Sequence, residues 1–322
     1  MRVSKRFVIA LLCLMFLPVY SVVGYNVWND TSGLFNTDFS SPRSVEPNQH
    51  FIKMRYLLAN PDKYDAYCFG TSRIANIDLT KIKDGHRYYN MTYSMGLPAE
   101  WLNDLRIMLH HHVSVHCVIL GLDDVDFLVD PASHNTDLLR IPYRENNFST
   151  YMAYLFRNPK APQIGYNPYY ASIYDIYDSG RTLHEAPDQR IEADLDAHRK
   201  KVAEIQVSPN DLSRRYQALA EIQEIKNLCE SNGIKLIVFI SPHEHKLYQA
   251  MDLDRFREIQ YRLAQITPYY DFSGLNRITT DDYYYYEVSH YRPIVGDMII
   301  HRIFDMPKEA DTDFGKYVEQ TF

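Results

Sequence analysis

An excess of positive charge is missing from this sequence, in which 34 Lys and Arg stand against 41 Asp and Glu for a net charge of −7. The attraction that carries proteins onto nucleic-acid phosphates therefore has no basic surface to work from, and a nucleic-acid partner is excluded. Cysteine is scarce, with four residues in 322. Cys13 falls in an apolar run, and Cys68, Cys117 and Cys229 fall in segments patterned as strands or a helix, so they read as small buried hydrophobes and not as a disulfide scaffold. Internal repeats are absent and low-complexity sequence is sparse. With 46% hydrophobic residues the chain has enough apolar material for one large core. The 27 tyrosines offer rings with an apolar face and a hydroxyl that suit polar ligands such as sugars, although packing accounts for most such rings.

The N-terminus carries the clearest physical signal. Arg2, Lys5 and Arg6 precede an uncharged apolar run from Phe7 to Tyr25, which Asn26 and Asp30 terminate. As a helix this run is about 28 Å long, enough to cross a bilayer core. The cationic flank predicts a cytoplasmic tail over 1–6, an anchor over 7–25 and everything later outside. A cleaved signal peptide is the competing reading, with Val22 and Gly24 before a cut at Tyr25. The length of the run and the poor small-residue site favour the anchor. A polar segment over 26–49, rich in Ser, Pro and Asn, reads as a stalk.

From Phe51 onward short apolar runs alternate with helical stretches, the form of a parallel sheet covered by helices. The strands are expected at Ala66 to Phe69, Arg87 to Met91, Val115 to Leu120, Ile234 to Ile240 and Pro268 to Phe272. After Ser208 and Pro209, Leu212, Tyr216, Leu219, Ile222, Ile225 and Cys229 recur at helical spacing until Asn232-Gly233, predicting an amphipathic helix. The stretch over 140–207 fits the alternation badly. Its aromatics, prolines and charged run from Asp188 to Lys201 suggest a lid-like insertion followed by a surface helix.

In an open parallel sheet the ligand crevice lies beyond the carboxyl ends of the strands. Polar residues crowd those positions: Gly70-Thr71-Ser72-Arg73 after the first strand, Asn90 in the second, Asp123 and Asp124 after the third, Ser241-Pro242-His243 after the fourth, and Glu287-Val288-Ser289-His290 beyond the fifth. A serine hydroxyl becomes a useful nucleophile when an imidazole takes its proton and a carboxylate fixes that imidazole. The Ser72 turn also stands where a helix N-terminus would offer N–H groups to an oxyanion, although a plain capping role is the bland alternative for this residue.

These residues resemble the SGNH or GDSL-like hydrolases, and in particular membrane-anchored members associated with acylation of bacterial cell-surface polysaccharides. Phe69-Gly70-Thr71-Ser72-Arg73 resembles the first family block, and Tyr270 to Gly274 with Tyr286 to Pro293 resembles the closing block. The resemblance runs over most of His50 to Ile303 in block order. It implies a three-layer α/β/α, flavodoxin-like domain over 50–305 with a parallel sheet of about five strands, followed by a polar tail over 306–322. It implies Ser72 as nucleophile, His290 as base and Glu287 as orienting acid. The implied activity is ester hydrolysis or acyl transfer, with acetyl as the expected group, on a cell-envelope glycan or glycolipid, with a membrane acyltransferase as a possible partner and no cofactor. Three positions depart from the pattern. Glu287 stands where Asp is usual, Asp123 stands where an Asn donates to the oxyanion, and the second-block glycine is ambiguous near Gly96. The oxyanion hole is therefore expected from Ser72 N–H and a group between Asn90 and Gly96. Asn90 either donates into the crevice or satisfies backbone in a turn, and Arg73 either holds an anionic substrate group or pairs with a carboxylate. Tyr283 to Tyr286 either line a sugar groove or pack on the sheet. A non-catalytic envelope protein that uses the same crevice to bind glycan or to organise an acyl-transfer complex is the competing class.

Two histidine groups raise a metal question. His110, His111 and His112 with His116 point in different directions from a helix end, and His243 with His245 lacks a Cys, Asp or Glu at zinc spacing. The sequence alone assigns no metal, and gives His243 a substrate contact or a supporting role at the crevice.

Overall fold

The computed structural model describes residues 5–35, 38–39, 45–158, 172–310 and 312–320. Arg2, part of the cationic flank, lies outside the described residues, as do parts of the expected stalk and insertion. The strands are β1 Ala66–Phe69, β2 Tyr88–Asn90, β3 Cys117–Leu122, β4 Ile173–Tyr174, β5 Thr182–Leu183, β6 Lys235–Ile240, β7 Tyr269–Asp271 and β8 Lys316–Val318. The helices are α1 Lys5–Asn29, α2 Gln49–Ala59, α3 Pro98–His110, α4 Phe148–Leu155, α5 Glu185–Ala193, α6 Leu195–Glu204, α7 Arg215–Ser231, α8 His245–Ala250, α9 Leu253–Ile266 and α10 Pro293–Phe304.

The central sheet has the order β2-β1-β3-β6-β7-β8, with every pairing parallel except β7 with β8. Its five parallel strands are the five expected from sequence. The sixth, antiparallel strand arises inside the expected polar tail, where Tyr317 pairs with Tyr270. Side chains alternate between two cores as pleating demands. Tyr67, Phe69, Val118, Leu120 and Ile240 meet α2, α3, α7 and α9 on one face, through residues such as Leu57, Trp101, Ile222 and Ile259. Ala66, Cys68, Ile119 and Phe239 meet Val295 and Ile299 of α10, together with Ile74 and Ile77, on the other. The result is the three-layer α/β/α arrangement. The cysteines are free thiols, with Cys68, Cys117 and Cys229 buried in the cores.

Two expected elements are corrected. The amphipathic helix begins at Arg215, well after Pro209. Asn210 is drawn into a bridge with Met251 and its side chain accepts from Leu212 N at 3.0 Å, so the chain turns before the helix can start. The described part of the stalk is not a free tether. Asn26, Asp30, Thr31, Ser32 and Leu34 are buried, Asn26 Nδ2 donates to Leu155 O and Arg157 O at 2.9 Å each, and Asp30 accepts from Leu34 N and Phe35 N. Polar side chains that a stalk would leave in water are here spent on backbone groups of the domain. Helix α1 is apolar and long enough to cross a membrane, with mean hydropathy 2.5 over its best window and none of that window buried.

Candidate active site

The site starts at the end of β1. Thr71 keeps an extended backbone (φ −84°, ψ −177°), and its Oγ1 accepts from Arg73 N at 3.3 Å, which turns the chain into a short 3₁₀ helix over Ser72–Ile74. Gly70 and Gly121 leave room for Ile74 to lie across the strand ends, since a Cβ on either glycine would collide with its side chain. This arrangement presents Ser72 at the rim of the sheet, and among the described residues its N–H makes no hydrogen bond.

The other half arrives from the segment before α10. Tyr285 and Tyr291 pair in an antiparallel bridge and Tyr286 N donates to His290 O at 2.8 Å, closing a tight loop over 285–291. Its tip delivers the base: His290 Nε2 lies 2.9 Å from Ser72 Oγ. His290 Nδ1 meets Glu287 Oε1, and the other carboxylate oxygen of Glu287 accepts from Ser289 N at 2.8 Å. Burial works to raise the Glu287 carboxyl, but the hydrogen bond and charge of His290, then Ser289 N–H and Arg73, outweigh it and hold the group below the ordinary glutamate range. An ionised Glu287 at Nδ1 leaves Nε2 as the acceptor for the Ser72 proton. The three residues read from sequence as nucleophile, base and acid are thus brought together.

The remaining expected residues are placed otherwise. Arg73 pairs with Asp124 and lies 3.2 Å from Asp123 Oδ1, with all three side chains nearly or fully buried, so it does not face an anionic substrate. Asp123 spends its carboxylate within the fold, accepting from Thr71 Oγ1 and Val125 N while its own N–H reaches Asp126 at 2.7 Å. The charge at the position where an asparagine was expected is therefore neutralised by Arg73, and it does not serve the oxyanion. Burial raises the acid range of Asp124, yet Arg73 and His243 overcome it and hold Asp124 ionised, whereas Asp126, buried beside two other carboxylates, is pushed up. His243 is also buried, with Nε2 3.4 Å from Asp124 Oδ1, and it supports this cluster instead of touching the crevice.

Asn90 is fully buried and takes the structural alternative. Its amide donates to Ile74 O and Ala75 O at 3.3 and 3.4 Å, and its Oδ1 accepts from Thr92 N at 3.0 Å, so it clamps the turn that presents Ser72 and has nothing left for an oxyanion. Gly96 N donates to Tyr93 O at 3.1 Å, and a Cβ there would come within 2.6 Å of Gly70 O. Gly96 is a packing residue. The N–H groups of Ser94 and Met95 in the same turn have no acceptor among the described residues.

A cavity of about 600 Å³ opens beside Glu287 and His290, lined by them and Tyr286 together with Ser172, His184, Ile191 and His198. The far wall is α5 and α6, so the charged run from Asp188 is not simply a surface helix. The insertion is fastened to the closing loop by Arg292, whose Nε lies 2.7 Å from Asp188 Oδ1 and whose Nη2 lies 2.6 Å from Glu192 Oε1. His198 Nε2 is also hydrogen-bonded to Tyr285 O at 2.8 Å. Of the four consecutive tyrosines only Tyr286 lines the cavity, while Tyr285 is buried in the core and Tyr283 stacks under Arg292. His184 pairs through Nδ1 with Ser172 Oγ at 2.9 Å, and burial, helped by the proximity of His290, lowers its pKa to about 4, leaving a neutral imidazole in the wall. Sequence reasoning missed Glu46, which lies in the electrostatic reach of His290 from within the expected stalk. Burial raises its carboxyl, with Gln49, Arg140, Lys53 and His290 opposing.

No protein-family model matches the chain, and no curated protein matches it. The site geometry is that of a serine whose hydroxyl can be deprotonated by an oriented imidazole, and that imidazole lines a mostly apolar cavity.

Proposed function

We propose that this protein is a serine esterase or O-acyltransferase of the SGNH type, acting on acylated glycans or glycolipids at a membrane surface. The observation that carries the reading is the Ser72–His290–Glu287 chain of contacts, with Ser72 Oγ 2.9 Å from His290 Nε2. Ser72 Oγ attacks the acyl carbonyl as its proton passes to His290 Nε2, and Glu287 stabilises the imidazolium through Nδ1–H. The tetrahedral oxyanion collapses, the ester C–O bond breaks, and the leaving alkoxide takes the proton from Nε2. Water or a sugar hydroxyl then attacks the acyl-serine, gives its proton to His290, and releases acid or a new ester with Ser72 restored. Water makes the protein an esterase, and a sugar hydroxyl makes it a transferase of acyl groups, with acetyl the simplest fit to this role. Ser72 N–H and the turn over Ser94 and Met95 supply the candidate oxyanion donors.

Lys5 and Arg6 before the apolar stretch of α1 support a cytoplasmic N-terminus, and the proposal takes the domain to work on the periplasmic face of a bacterial inner membrane. Continuity of α1 through Tyr25 into the buried Asn26 favours the anchor over a cleaved signal. Such a position would let the domain work beside a membrane acyltransferase.

A non-catalytic glycan-binding protein is the second reading, favoured by the engagement of Asn90 and of Gly96 N–H away from the oxyanion position. The two are separated by a fluorophosphonate probe. Covalent labelling that vanishes in Ser72→Ala and falls strongly in His290→Ala is expected. Absence of labelling in folded wild-type protein, or equal labelling in all three, would exclude a competent nucleophile.

A further inference from the structure

A second group of chemically capable side chains stands apart from Ser72, where β6 gives way to α8. Glu244 is fully buried, and its Oε2 caps α8 by accepting from Lys246 N at 2.8 Å and Leu247 N at 3.4 Å. Its other oxygen, Oε1, is buried and has no hydrogen-bond partner among the described residues. The same holds for His245 Nδ1, Asp282 Oδ1 and the fully buried hydroxyl of Tyr285. Ligand atoms of Glu244, His245 and Asp282 all lie within 4.8 Å of one another, and Tyr285 feels the charge of Glu244.

Two carboxylates brought together repel one another unless positive charge lies between them, and Glu244 Oε1 and Asp282 Oδ1 are buried acceptors left without a hydrogen bond. A cation resolves both problems at once. Glu244 Oε1 and His245 Nδ1 approach to 2.5 Å without the alignment of a hydrogen bond, as two atoms do when they converge on one point. We propose that Glu244, His245 and Asp282 form a binding site for a divalent transition-metal ion of the zinc class. One imidazole nitrogen with two carboxylate oxygens is a donor set that zinc accepts, leaving a position for water. Tetrahedral zinc spaces its ligands by about 3.3 Å, so binding asks a small opening of the Glu244–His245 pair. His245 can supply it, since its side chain is about one third exposed, and that exposure also gives the ion its entry path.

None of Glu244, His245 and Asp282 lines the substrate cavity, and the site stands whether or not Ser72 is catalytic. Its consequence is mechanical. An ion there ties the end of the β6 strand, through Glu244 and His245, to Asp282, just ahead of the loop over 285–291 that presents Glu287 and His290. The two histidine groups noted in the sequence are not equivalent: His110 and His111 are exposed beside Glu145, whereas His245 has the buried Glu244 beside it and the part-buried Asp282 from a distant part of the chain.

The test uses the full-length protein in detergent, stripped with a chelator and titrated with ZnCl₂ by calorimetry, with thermal unfolding followed in parallel. One tight site per chain is expected, with a zinc-dependent rise in Tm. His245→Gln and Asp282→Asn should each weaken that site about 100-fold or more and abolish the rise in Tm, taking the loss seen on removing supporting groups as a lower bound. His111→Gln and His116→Gln, in the exposed histidine groups, should leave it unchanged. Circular dichroism of the stripped variants checks that they fold, and His245→Gln, at a part-exposed side chain, carries the test if Asp282→Asn does not. Folded wild type without zinc binding, or binding that survives both substitutions, overturns the proposal. Fluorophosphonate labelling of the same samples reports on Ser72 separately.

Discussion

Glu287 grips His290 from three residues away, with one carboxylate oxygen on Nδ1 and the other on the N–H of Ser289 between them. Both oxygens are engaged, so the carboxylate is fixed in plane and the imidazole ring is held with Nε2 toward Ser72. Glu287→Gln keeps the shape and removes the charge, so turnover of an acetyl ester should fall by orders of magnitude, up to about 10⁴-fold, while unfolding stability stays within about 1 kcal/mol. Glu287→Asp should keep partial activity, because a shorter reach forfeits one of the two contacts. Steady-state kinetics and thermal unfolding of both variants check this, and unchanged turnover in Glu287→Gln would leave at most a Ser72–His290 pair.

Arg73 is the counter-charge for a buried acidic turn. Arg73→Gln leaves Asp123 and Asp124 facing each other without a cation, and removal of one partner from a buried ionic cluster costs about 3–5 kcal/mol. Arg73→Lys retains charge but loses the forked geometry, so its loss should be smaller. Urea unfolding of the three proteins gives the order. Equal stability of wild type and Arg73→Gln would show that the cluster is not held by this ion pair.

The insertion is held over the site by Arg292, Asp188 and Glu192. In Arg292→Gln, amide hydrogen exchange over 185–204 should quicken by about tenfold, equivalent to about 1.4 kcal/mol of local stability, with the central strands unaffected. The KM for a substrate filling the cavity should rise more than kcat falls. Uniform acceleration across the domain would point instead to global loosening.

Lys53 is fully buried, its Nζ donates to Thr92 O at 2.6 Å, and burial lowers its pKa to about 7. The unfolded chain holds this proton up to its ordinary value near 10.5, so between those limits unfolding takes up a proton. Stability from this group therefore rises as pH rises from about 7 to 10.5, and below 7 the full cost of charging a buried amine is present. The difference in Tm between wild type and Lys53→Met should move in favour of wild type across pH 7 to 10. A difference independent of pH would mean that Lys53 stays charged in the fold.

The parallel strands were legible because each is a short, mostly apolar run closed by turn residues, as in Ala66–Phe69 before Gly70-Thr71. Strand β8 was not, because Lys316–Val318 is half exposed and is a strand only through its pairing with β7. Ser72, His290 and Glu287 could be read because polar residues crowd the ends of the strands and because two sequence blocks resemble those of the SGNH hydrolases. The fates of Asn90 and Gly96 could not, since whether an amide faces a crevice or a carbonyl depends on where Ile74, Ala75 and Tyr93 place their backbones. The cavity wall was hidden for a related reason: a charged helix looks solvated from sequence until Arg292 supplies its counter-ions. The docking of 26–35 likewise rests on partners, Leu155 and Arg157, more than a hundred residues away.

That docking sets the reach of the protein. A flexible stalk of two dozen residues would let a catalytic head sweep a hemisphere tens of ångströms wide. With Asn26 bonded into the domain and α1 running straight into it, the head has almost no radius to sweep. When α1 spans a bilayer the cavity is held at one height above the lipid headgroups and in one orientation, so that under the proposed esterase function the membrane itself would select which esters arrive: those carried on lipids, or handed up through a neighbouring membrane protein, and not those at the far ends of long envelope polymers.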